Sequence, residues 1–142
     1  MARFIARKCK SGYDYSYNPP KEYGVITQII CSPEDQVLEI PEYVEGVDLP
    51  ITHLAYEQRF DEAHEVWADW HHPAKGSDFV PDNYILDCIS FNLPSGIKKV
   101  IIPATVESIS YCTWGENEEN IVFEVHPDNK HFTSINGKLK RK

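Results

Sequence analysis

The chain has 142 residues, 42% apolar and 25% charged, which suits one soluble domain long enough to bury a core. A net charge of −8 excludes the broad basic surface that nucleic-acid binding uses, since only Lys138, Lys140, Arg141 and Lys142 cluster as positive charge, and these read as a solvated end. No apolar run reaches the ~18 residues of a membrane helix, and no apolar stretch of ~7–15 residues follows the positive start of the chain.

The alternation of Tyr13, Tyr15 and Tyr17 has the period of a strand face, ended by Pro19-Pro20. Tyr23 to Ile30 is rich in β-branched residues and predicts a strand. A turn at Ser32-Pro33-Glu34-Asp35 follows, then a short strand from Val37 to Ile40 stopped by Pro41. Another short β run spans Ile51 to Leu54. From Ala55 to Trp70 there is no Gly or Pro, and Leu54, Phe60, Ala63, Trp67 and Trp70 approximate one apolar face, so one helix is expected over 56–70. A loop at 73–83 leads to β character over Tyr84–Phe91, a turn at Pro94-Ser95-Gly96, and a strand over Lys99–Ile102 closed by Pro103. The acidic run Glu116–Glu119 reads as a solvated turn. Ile121 to Val125 is a further strand, Phe132 and Ile135 an apolar pair, and Asn136-Gly137 a turn.

One phrase is written twice. VLEIPEYVEG begins at Val37 and VIIPATVESI at Val100, and Pro127 closes a third apolar run 24 positions after Pro103. A period of 20–29 residues with one strand per unit marks stacked repeats, in which neighbouring units share a core that none could bury alone. The segment Val100 to Ile109, the strand Ile121 to Val125, and Asn129 to Leu139 with its F-T-S-I-N-G-K-L resemble the BspA-like leucine-rich repeat family. The segment Val37 to Leu54 looks like that family's opening unit. The resemblance covers 36–54 and 97–139. It departs from the family where Leu54-Ala55-Tyr56 leads into an acidic segment and where Ile109 to Trp114 keeps only a trace of the usual I-G-x-x-A-F. It implies a short right-handed leucine-rich-repeat-like solenoid, a β-rich α/β fold with the 56–70 helix inserted. The single domain then divides into an N-terminal β cap (1–35), a first repeat-like unit (36–54), a helical insertion with its loop (55–83), and C-terminal units (84–142).

The chemistry-bearing residues are few. His64, Asp69, His71 and His72 are the densest cluster able to bind metal or exchange protons, but H-E-x-x-H is absent, and 64 to 71 is about 10 Å along a helix. An amphipathic helix with Trp67 and Trp70 as anchors and histidines at its C-terminal end explains the same residues. The sequence has no G-x-S-x-G and no phosphate-binding glycine loop. Cys9, Cys31, Cys88 and Cys112 have no close pair, and read as free buried thiols of a reducing compartment.

The family resemblance implies a noncatalytic interaction or recognition module with a protein partner. No cofactor or metal is expected from the motifs, and neither nucleic acid nor membrane from the charge and the apolar runs. Trp67 and Trp70, with Tyr13, Tyr15 and Tyr17, are the module's candidate contact residues. Two other readings stand beside it: a small metal-dependent or hydrolytic enzyme using His64, Asp69, His71 and His72, and a structural cap that assembles with itself or with another chain. The protein is expected in the cytoplasm if Met1 is native, and at the surface or outside if a signal has been removed.

Overall fold

A computed structural model describes residues 2–11, 21–55, 58–61, 66–69, 89–109 and 112–142, with side chains described for 2–8, 22–55, 91–109 and 113–142. The described strands in chain order are β1 (Arg3–Ser11), β2 (Lys21–Ile30), β3 (Val37–Glu39), β4 (Ile51–Leu54), β5 (Gln58–Asp61), β6 (Val66–Asp69), β7 (Ile89–Ser90), β8 (Lys99–Ile102), β9 (Ser108–Ile109), β10 (Cys112–Thr113), β11 (Val122–Val125), β12 (Phe132–Ile135) and β13 (Lys138–Arg141). Among the described residues one 3₁₀ turn, Glu118–Asn120, is the only helical element.

The strands form four sheets. The largest is mixed, in the order β5-β6-β1-β2-β4-β9. Within it β1 and β2 pair antiparallel with a bulge between Ile5 and Ala6, while β2, β4 and β9 run parallel. A Cβ at Gly24 would lie 2.9 Å from the carbonyl oxygen of Pro50, so β2 accepts β4 closely only because this position is glycine. The second sheet is parallel, β11-β8-β3, and β7 and β10 form a parallel pair. A hairpin, β12 and β13, turns at Asn136 (φ 53°) and Gly137 (φ 76°), the two left-handed positions a tight hairpin turn demands.

The core lies between these sheets. Period-two alternation sends Leu38, Val100 and Phe123 inward in one row across β3, β8 and β11. Ile40 and Ile102 repeat this two residues on, and Val25, Ile26, Ile51, Leu54, Ile97 and Val106 are fully buried as well. Each such side chain contributes about 1.5–3 kcal/mol when fully buried. Trp114 packs between Phe91 and Phe123, with ring centroids 5.1 and 5.3 Å away. Asn129 is buried and fully bonded: its amide nitrogen donates to the carbonyls of Pro103 and Val106, and its Oδ1 accepts from the N–H groups of His131 and Phe132.

Two expectations are corrected. The helix over 56–70 is not formed. Gln58–Asp61 and Val66–Asp69 are extended instead, and Ala55, at φ 60° with its N–H donating to the carbonyl of Ile26, ends the preceding strand β4. β5 and β6 then pair antiparallel, with Phe60 opposite Trp67. Nor is the fold an α/β solenoid with a helix inserted. Parallel ladders are mixed with three antiparallel pairings, β1 with β2, β5 with β6 and β12 with β13, and the sheets do not close into a coil. The doubled phrase has a narrower meaning, which is that it sets β3 and β8 side by side in register.

Candidate functional site

The three strands of the parallel sheet end together. Ile40 donates to the carbonyl of Ile101, and His126 to that of Ile102. The next residue after each donor is a proline, Pro41 or Pro127, whose ring fixes φ and whose missing N–H leaves no donor on the strand's other edge. Pro103 follows β8 directly in the same way. The chain therefore turns away at three adjacent corners. A groove of about 440 Å³ lies across them, bounded by Glu39 to Glu42 of the first corner, Ile101 to Pro103 of the second and Glu124 to Pro127 of the third.

Strand alternation decides what faces this groove. Ile40 and Ile102 are buried beneath it and fix the floor. Glu39, Ile101 and Glu124 share one outward row, so an isoleucine stands between two carboxylates. With strands ~4.8 Å apart, the outer members of that row are about 10 Å from each other. The ammonium of Lys99 pairs with Glu124 at 2.5 Å. Glu39 and Glu42 are exposed, and no cation is paired with either among the described residues. The backbone at Glu42 is held by the N–H of Ile51, which donates to its carbonyl at 2.7 Å. At the third corner Nδ1 of His126 accepts from the N–H of Asp128 at 3.0 Å.

Of the residues expected from the sequence, Trp67 and Asp69 have a described backbone. Both are placed on β6, on the far side of β1 from β2, β4 and β9. Tyr13, Tyr15, Tyr17, His64, Trp70, His71 and His72 lie outside the described residues. Among the described residues no three His, Cys, Asp or Glu side chains gather as a metal site. The Cys31 thiol is pushed up from its ordinary pKa, chiefly by burial and then by the neighbouring Asp35 carboxylate, which makes it a poor nucleophile near neutrality. The basic residues near the end of the chain are built into the fold: Lys138 and Lys142 donate to the carbonyls of Glu119 and Asn129, and the Arg141 guanidinium sits 5.4 Å from the Phe132 ring centroid.

Sequence reasoning passed over Glu39, Glu42, Ile101 and Glu124, treating the Ile-Pro segments as scaffold alone. One signal was present: acids flank Ile40-Pro41 on both sides, and Glu39 falls on the outward phase of its strand. No family model, no curated protein and no solved structure matches this chain.

Proposed function

We propose that the protein is a noncatalytic interaction module that holds a segment of a partner protein in the groove at the proline corners. The observation that carries this reading is the groove's construction. An apolar floor is fixed from beneath by fully buried Ile40 and Ile102, and its rim is polar. A preformed concave site of this kind loses little freedom on binding. The likeness of the Ile-Pro units to BspA-like leucine-rich repeats, a family associated with macromolecular recognition, supports the same reading.

Selection of displayed random peptides on the immobilised protein tests it. Enriched peptides should compete with one another for a single site, and should lose binding to Ile101→Arg, which fills the groove from a half-buried outward position. Failure to enrich any competing set, or enrichment indifferent to Ile101→Arg, rejects the reading.

A further inference from the structure

We infer that the segment held in this groove is an extended peptide in which one arginine or lysine is flanked by apolar residues. This rests on the interaction reading above and adds the chemistry of the partner.

Charge decides the first part. Three carboxylates border the groove, Glu39, Glu42 and Glu124. Lys99 already answers Glu124, at the β11 end. The surplus negative charge therefore lies at the β3 end, where Glu39 and Glu42 stand on either side of Ile40-Pro41. Both positions are fixed before any ligand arrives, Glu39 by the pairing of β3 with β8 and Glu42 by its backbone bond to Ile51. Two carboxylates on fixed backbone positions bordering one opening suit a single cation. The planar guanidinium fork of arginine can bond both, which a point-like ammonium does less well.

Shape decides the second part. Beyond the acidic end Ile101, Val125 and Pro127 offer apolar surface across the second and third corners, over buried Ile102 and Pro103 and beside the exposed Glu124 and His126. Three strands span about 10 Å, the reach of about three extended residues at ~3.3 Å each. The groove thus has room for the cation and two apolar neighbours. An acidic segment would meet the uncompensated carboxylates, and a nucleic-acid phosphate would meet the same repulsion on a chain of net charge −8.

Fluorescence anisotropy with three labelled pentapeptides tests this: Gly-Arg-Val-Val-Gly, and the same peptide with glutamine or with glutamate in place of arginine. The protein is used intact, beside the double variant Glu39→Gln/Glu42→Gln, whose exposed substitutions leave the core untouched and whose fold is checked by circular dichroism. The arginine peptide should bind about tenfold tighter than the glutamine peptide. That advantage should shrink to about twofold or less in the double variant, and between about 50 and about 500 mM salt. Equal binding of the arginine and glutamine peptides, no binding by any of the three, or an arginine advantage that survives the double variant overturns the inference. A glutamine peptide that binds as well as arginine and is lost with Ile101→Arg overturns the cation preference while leaving the interaction reading in place.

Discussion

The side-chain amide of Asn129 donates to the carbonyl oxygen of Pro103 at 2.8 Å, across a sequence separation of 26 residues. With its second donation to Val106 and its two accepted bonds, it ties the third corner to the turn that follows β8. Asn129→Ala leaves two carbonyls and two N–H groups without that partner in a buried setting. Three of these bonds are buried and each buried orphan costs about 1–3 kcal/mol, so a loss of at least about 3 kcal/mol is expected in chemical denaturation. Asn129→Asp should be at least as damaging, because it keeps the acceptor but sets a carboxylate against two carbonyl oxygens.

Gly24→Ala should destabilise by about 1–3 kcal/mol, since the new methyl would press on a carbonyl oxygen of the chain leading into β4, and backbone cannot swing aside as a side chain can. The expected signature is a lowered denaturation midpoint with an unchanged slope.

Lys99→Met should change stability by less than about 1 kcal/mol, because both partners of its ion pair with Glu124 are about half exposed. Its effect should appear in binding instead. Freeing Glu124 adds negative charge along the groove, so the arginine peptide should bind more tightly, by about two- to fivefold at low salt. Weaker binding of that peptide would mean Lys99 itself contacts the ligand.

Cys31 should react slowly with iodoacetamide near neutral pH when the protein is folded, and at an ordinary rate in denaturant, as read by peptide mass mapping. Burial raises its pKa in the folded state, so the thiol form is favoured there. By linkage the stabilising contribution is complete at pH values below the unfolded thiol's pKa, and is lost as pH rises from that value through the higher folded one. Alkaline titration of stability should therefore be shallower in Cys31→Ala than in the parent chain.

How much of this was legible depends on the range of the forces involved. The strands at Tyr23–Ile30, Val37–Ile40 and Lys99–Ile102 were readable because β-branched runs stopped by proline are a local signal. The turn at Asn136-Gly137 was readable because left-handed backbone selects those residues. The segment 56–70 was misread because its composition favours a helix, while β5 and β6 pair with each other and β6 pairs with β1, whose Lys10 lies 58 residues before its partner Ala68. The groove was invisible for a related reason. Glu39, Ile101 and Glu124 are separated by 62 and 23 residues, and only the parallel register makes them one row.

The position of Asn129 in the chain has a consequence for how the protein is made. Synthesis runs from the amino end, so β3, β8 and their corners leave the ribosome before Asn129 does. Until it emerges, Pro103 and Val106 have only water to satisfy the carbonyls that Asn129 later covers, and the β12–β13 hairpin that shields the far side of β11 does not yet exist. Closure of the second and third corners therefore waits on Asn129 and the hairpin that follows it.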